Sequence, residues 1–134
     1  MNKHLQFLAI AFMMCVSTSL FAEFRSAKDM QKECRVALDV LNKRADPSSE
    51  NTLFTGECIG YIQGAADAAV AMADNVDWYK VCLSDQLSTQ LLIQKFIAFV
   101  DKYPQYTLAS TAVQLMLRDE FPCVKNKHSD QHVR

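Results

Sequence analysis

The stretch FTGECIGYIQGAADA, residues 54–68, places three glycines four positions apart and continues into alanines. Glycine costs about 1 kcal/mol relative to alanine inside a helix, so the repeat needs a compensating reason. Because positions four apart share one helix face, Gly56, Gly60 and Gly64 predict a smooth groove along a central helix. Two uses of that groove stay open: neighbouring helices crowd into it, or it receives a partner chain. Crowding predicts that Gly60→Leu destabilises the fold severely by overpacking.

Two polar residues flank this helix face. Tyr61 and Asp67 need hydrogen-bond partners if they are buried, so a structural hydrogen-bond pair is the expected use. General-acid chemistry is the alternative, but no second catalytic group lies nearby in the sequence.

The apolar periodicity outward from this stretch predicts four helices and no strands. We expect helix one over 23–44 with Ser26 as its N-cap, and a polar loop over 45–52. Helix two should begin between residues 51 and 56 and end near 74. Ser84 or Asp85 should cap helix three, which ends near residue 102, and helix four should run from about 107 to 120. The predicted fold is a compact all-α bundle of four main helices.

The first 22 residues have the composition of a secretory signal peptide. Lys3 precedes an apolar run, LQFLAIAFMMCVSTSLFA, which ends in small residues at Ala22. An N-terminal membrane anchor is the alternative, but this run is marginal for a bilayer span. Cys15 lacks the preceding small residues of a lipoprotein signal. Cleavage after Ala22 would leave one domain over 23–123 and a polar tail over 124–134 that is expected to be disordered.

The charge balance argues against nucleic acid as a partner. The chain has 14 basic and 15 acidic side chains and a formal net charge of −1, without a basic patch. After the signal region, no apolar run is long enough to span a membrane, so no membrane association is expected after cleavage.

Four of the five cysteines follow the signal region: Cys34, Cys58, Cys82 and Cys123. In an exported chain, an even number predicts two disulfides, with free thiols as the alternative. Three connectivities are possible. Cys82–Cys123 is favoured because both residues lie at one end of an antiparallel hairpin of helices three and four. Cys34–Cys58 is favoured because it closes the hairpin of helices one and two.

The sequence lacks the residues of common catalytic and metal sites. Its histidines, His4, His128 and His132, lie in the signal region or the tail, which disfavours histidine-based catalysis and zinc binding. No phosphate-binding loop is present. Catalysis by carboxylates alone stays possible, but no pair stands out. We therefore expect no enzymatic activity, no metal and no cofactor.

Several short motifs together resemble the Rap/Tai family of type VI secretion immunity proteins. They are CIGYIQGAADA at 58–68, Cys82-Leu83, Gln86-Leu87, Tyr103-Pro104 and the FPC ending at 121–123. The resemblance covers roughly residues 30–123. It implies a small helical, disulfide-bonded periplasmic protein, often a homodimer, that binds a peptidoglycan amidase effector and blocks its active-site cleft.

A protein that blocks a cleft needs a protruding element, and two loops qualify: 45–53 and 74–85. The second carries the candidate partner-binding residues Asp74, Asp77, Trp78, Tyr79 and Asp85, since Trp and Tyr are favoured anchors in interfaces. The alternative for Trp78 is that it folds back over Cys82. A second class of function also stays open: a small periplasmic helical chaperone or stress protein that binds many clients.

Overall fold

The computed structural model describes residues 24–76 and 80–123. They form four helices, which we number α1 (Ala27–Leu41), α2 (Ser49–Asn75), α3 (Thr89–Lys102) and α4 (Ala109–Glu120). The predicted all-α, four-helix bundle is confirmed. The signal region, the tail and the loop tip at 77–79 lie outside the described residues.

Serine side chains begin the first two helices. The Ser26 hydroxyl accepts a hydrogen bond from the backbone N–H of Asp29 at 3.0 Å, which confirms the predicted cap of α1. Ser48 caps α2 in the same way, so this helix begins at Ser49, earlier than expected. Pro47 and the serines therefore lead into a helix, because serine is a preferred N-cap and satisfies an amide of the first turn.

The start of α3 differs from the prediction. Ser88, rather than Ser84 or Asp85, is the N-cap, and its hydroxyl accepts from the Leu91 N–H at 3.2 Å. The backbone N–H of Leu87 instead donates to the Ser84 carbonyl at 2.9 Å, which closes a turn before the helix. Ser84 thus begins this turn, a second role for which serine is equally suited.

Helix α1 ends three residues before the predicted Arg44. Lys43 has a φ of 57°, the left-handed conformation that commonly stops a helix. The Arg44 N–H then folds back to the Asp39 carbonyl at 2.8 Å. The basic residues thus lie in the turn after the helix rather than in its last turn.

The core contains side chains from all four helices. Its largest fully buried members are Phe96, Met30, Ile62, Ile93, Met116, Leu117, Val113, Cys34 and Cys58. These residues stand at the helical spacing of each element, so burial of the apolar stripes holds the bundle together.

Polar contacts fix the order of the helices. Gln31 on α1 donates from Nε2 to the Ile97 carbonyl at 2.9 Å and to Asp101 at 2.8 Å, both on α3. Two hydrogen bonds lower the pKa of the Asp101 carboxyl group: the larger effect comes from Gln31 and the next from Arg35. The segment before α1 pairs with the segment before α4, since the Ala109 N–H donates to the Arg25 carbonyl at 3.0 Å.

Both favoured disulfides are present. Cys34–Cys58 joins α1 to α2 with 5.1 Å between the Cα atoms, and Cys82–Cys123 joins the segment before α3 to the segment after α4 at 4.9 Å. The hairpin of α3 and α4 on which the second pairing relied is also seen. Lys95 in the middle of α3 pairs with Glu120 at the end of α4 at 2.6 Å.

Candidate partner-binding surfaces

The loop between α2 and α3 is anchored at its base. Besides the disulfide, the Cys82 N–H donates to the Phe121 carbonyl at 2.9 Å, and Val81 forms an isolated β-bridge with Pro122. Val81 is 3% exposed, so it belongs to the core. Val81, five residues after the C-cap Val76 of α2, is therefore a fixed point of the chain.

The candidate residues of this loop are only partly visible. Asp74 and Asp85 are exposed, whereas Asp77, Trp78 and Tyr79 lie outside the described residues, as does the contact proposed between Trp78 and Cys82. Their role in binding therefore stays a prediction. The other candidate loop, 45–53, is shorter than predicted, because residues 49–53 form the first turn of α2.

The glycine ladder does not pack against another of the described helices. A Cβ atom added at Gly56, Gly60 or Gly64 would meet no described residue outside its own helix within 4 Å. The prediction that neighbouring helices crowd this face is wrong, and the crowding on which the expected overpacking of Gly60→Leu depended is not seen among the described residues. The four-residue spacing correctly indicates a shared face, but spacing alone does not say whether that face is packed or exposed.

The two sides of α2 differ in composition. Its buried side carries Cys58, Ile62, Ala66 and Ala69. Its exposed side holds the glycines together with two large apolar residues, Leu53 at 59% and Val70 at 41% exposure. The described helices therefore leave a smooth face of α2 open to solvent.

Tyr61 and Asp67 do not form the expected hydrogen-bond pair. Tyr61 is half-buried; burial raises the pKa of its hydroxyl, and a hydrogen bond with Ser110 on α4 opposes that shift. Asp67 is exposed and lines a shallow depression of about 390 Å³ beside α3. The six-residue separation turns the two side chains to different sides of the helix.

A cluster that the sequence analysis did not identify lies where α1 meets α2. The Arg25 guanidinium pairs through one nitrogen with Glu33 and through another with Glu57. Glu33 is only 9% exposed, and its Oε2 atom has no hydrogen-bond partner among the described residues. Burial raises the pKa of Glu33, whereas the bond to Glu57 raises that of Arg25.

The sequence contains a signal for this cluster. Each glutamate precedes a bridged cysteine, as Glu33-Cys34 and Glu57-Cys58. Because that disulfide brings the two backbones within 5.1 Å, the preceding carboxylates also approach and require a shared cation. Once the pairing is predicted, the repeated Glu-Cys step predicts the cluster.

The described part of the chain offers little for other chemistry. Within residues 24–76 and 80–123, no group of three or more His, Cys, Asp or Glu side chains could hold a metal ion. In the same ranges, no helix combines the length and apolarity needed to cross a bilayer. The exposed features named above for the described residues are the base of the anchored loop, the smooth face of α2 and the depression beside Asp67.

Comparison with known protein families gives a match over most of the chain. The profile of the Rap1a immunity proteins matches residues 26–123, from the cap of α1 to the last bridged cysteine. No curated protein and no solved structure matches the chain. The matched range contains all four helices and both disulfides, and the chain therefore belongs to the Rap1a immunity protein family.

Proposed function

We propose that this chain is a periplasmic immunity protein that binds a type VI secretion peptidoglycan amidase and occludes its active site. The observation that carries the proposal is the family match over residues 26–123. Two disulfides suit an oxidising compartment such as the periplasm. The expected signal peptide would take the chain there, and sequencing of the periplasmic protein should then begin at Glu23.

The anchored loop is the proposed blocking element. Its base is fixed by the Cys82–Cys123 disulfide and by the bridge of Val81 to Pro122, so the chain that follows residues 77–79 is held in place. Preorganisation of this kind reduces the entropy lost on binding. Trp78 would supply an apolar anchor at the loop tip.

The exposed side of α2 supports a second contact. Without Cβ atoms at Gly56, Gly60 and Gly64, a partner backbone can approach this helix closely, which is the second use of the groove. The resemblance also implies a homodimer, and sedimentation equilibrium of the mature protein checks that assembly.

A titration against the amidase tests the proposed function. The mature protein should inhibit peptidoglycan hydrolysis at a stoichiometric ratio, and Trp78→Ala should weaken binding at least tenfold without lowering the melting temperature. Leu108→Ala is the matched control, since Leu108 is exposed and stands at the opposite end of α4 from the anchored loop.

Two results would count against this account. Unchanged affinity of Trp78→Ala would remove the loop tip from the interface. Protection of many unrelated unfolded proteins, without tight binding of one amidase, would favour the chaperone alternative.

A further inference from the structure

Glu33 has one buried oxygen that lacks a donor. Its Oε1 atom accepts a hydrogen bond from Arg25, whereas its Oε2 atom is closed to solvent and has no hydrogen-bond partner among the described residues. Native structures rarely leave such an atom unsatisfied, and the cost is larger when the group is charged. A donor is therefore expected at Oε2.

This donor is expected inside the cluster, because a group in solution cannot reach an atom that is closed to solvent. The Arg25 guanidinium already binds Glu33 through one nitrogen and Glu57 through another. Lys32, which follows Gln31 on α1, pairs with Asp29 at 3.4 Å. A carboxyl group can supply the donor itself, because protonation converts one of its acceptor oxygens into an O–H group.

Glu57 supplies an acceptor for that proton. Both carboxyl groups meet on one guanidinium, and each precedes a cysteine of the buried disulfide between α1 and α2, which keeps their backbones close. When both are ionised, Arg25 neutralises only one of them. One bound proton makes the cluster neutral and replaces the repulsion of two carboxylates by a hydrogen bond from a carboxyl group to a carboxylate.

Arg25 and Glu57 are the charged groups that affect the pKa of Glu33 most. Burial is the largest effect and raises this pKa, Arg25 lowers it, and Glu57 raises it, in part through a hydrogen bond between the two carboxyl groups. The hydroxyl of Tyr61 on α2 interacts with Arg25, but burial raises its pKa, so it stays neutral in acidic and neutral solution.

The charged residues of α3 and α4 have other surroundings. On α3, Asp101 pairs with Arg35 and Lys95 with Glu120, both at 2.6 Å, and Lys102 lies over the Tyr103 ring. The Arg25 backbone pairs with Ala109, the first residue of α4. The charged residues of α4 stand at its opposite end: Arg118, Asp119 and Glu120.

We propose that Glu33 and Glu57 share a proton in mildly acidic solution, carried by the Oε2 atom of Glu33 and donated to an oxygen of Glu57, and that it strengthens the contact of α1 with α2. The proton comes from solvent, and Arg25 keeps both of its pairings, one to the remaining carbonyl oxygen of Glu33 and one to the carboxylate of Glu57. The net charge of the cluster changes from one negative to zero.

The shared proton makes the domain more stable in mild acid than at neutral pH. The folded chain binds this proton more tightly than the unfolded chain, because the pKa of Glu33 is raised on folding. The added stability is complete below the usual glutamate value of about 4.3 and is lost as the pH rises through the folded pKa. The pKa values of Asp29 and Asp101 are lowered instead, so the stability from these two groups is lost only in stronger acid.

The test compares the melting temperature of mature protein, residues 23–134, at about pH 5 and about pH 7. The parent protein should melt about 5 °C higher at the lower pH. Glu33→Gln should reduce the difference to below about 1 °C, because its amide is a donor at both pH values. Glu50→Gln, the same exchange at an exposed glutamate of α2, is the matched control and should keep the full difference. Contributions of His128 and His132 are common to all three proteins and cancel in the comparison.

An NMR titration of the Glu33 side-chain carboxyl ¹³C signal detects the proton directly. In the parent protein its midpoint should lie above the usual value of about 4.3. In Glu57→Gln the midpoint should fall, because the neighbouring negative charge is gone and the new amide can donate to the ionised Oε2 atom. This variant keeps Glu33 buried, so it separates a shared proton from the effect of burial alone.

Four results would each overturn the proposal. They are equal melting temperatures of the parent protein at the two pH values, an undiminished difference in Glu33→Gln, an ordinary Glu33 midpoint in the parent protein, and a raised midpoint that Glu57→Gln does not lower. The midpoint of the parent protein decides the question even if Glu33→Gln does not fold. None of these measurements needs an amidase, so their outcome is independent of the proposed inhibition.

Discussion

The two disulfides join very different regions of the molecule. Cys34 and Cys58 are fully buried and connect two helices in the core. Cys82 is exposed, Cys123 is half-buried, and the bridge between them connects two irregular segments. The first disulfide is therefore part of the packed core, whereas the second holds a surface loop in place.

This difference predicts that one disulfide mainly stabilises the fold and that the other mainly positions the loop for partner binding. Removing the core bridge also removes packed sulfur atoms. Removing the outer bridge takes away the one covalent anchor of a loop that is otherwise held by weaker contacts, such as the hydrogen bond from Cys82 to Phe121 and the burial of Val81. The outer bridge should therefore matter more for partner binding than its contribution to stability indicates.

The largest expected effect is the loss of the core bridge. Replacing Cys34 and Cys58 by alanine should lower the free energy of unfolding by about 5 kcal/mol. Loop-closure entropy accounts for about 3 kcal/mol of this, and lost packing for the rest. Denaturant titration of the purified variant measures the change. A loss below about 2 kcal/mol would contradict the view that this bridge is part of the core.

Loss of the outer disulfide should affect partner binding more than its effect on stability indicates. Replacing Cys82 and Cys123 by alanine should cost about 3–4 kcal/mol in the chain-entropy model, with little additional loss from packing. Binding to the proposed amidase should weaken at least tenfold under conditions in which the variant is still folded. Calorimetric titration at low temperature measures the affinity, and circular dichroism confirms folding. If the variant binds the amidase as tightly as the parent protein does, the outer disulfide is not needed to position the loop.

The smallest expected effect is a change in stability caused by substitutions on the exposed and the buried side of α2. Gly60→Ala should raise the free energy of unfolding by up to about 1 kcal/mol, because the added methyl group meets no neighbour and alanine favours the helix. Ala66→Gly on the buried side is the matched control and should lower it by about 1 kcal/mol or more. Destabilisation by Gly60→Ala would restore the crowded-face interpretation.

The sequence predicted the features that follow from helix geometry. Apolar spacing identifies four helices, and the proline after Tyr103 indicates a short connection, which places Cys82 and Cys123 at one end of a hairpin. The start of α3 was wrong because Ser84 and Ser88 are both suitable caps by composition, and only the surrounding backbone selects between them.

The surfaces were harder to predict. The spacing of residues along a helix shows which of them share a face, but it does not show what that face packs against. The glycine spacing leaves open whether neighbouring helices or a partner chain contact this face, and the described helices leave it open to solvent. Arg25 precedes the first helix and gives no periodic signal, so its pairing with Glu33 and Glu57 emerges only when α1 and α2 are brought together. The repeated Glu-Cys step was the one available indication.

The most direct test of the proposed immunity function measures the survival of cells that export the cognate amidase to their own periplasm. Co-production of this chain with its signal region should restore growth, and a version without residues 1–22 should not, because the inhibitor must reach the compartment of the enzyme. Cells that lyse equally with and without the exported chain would contradict the account.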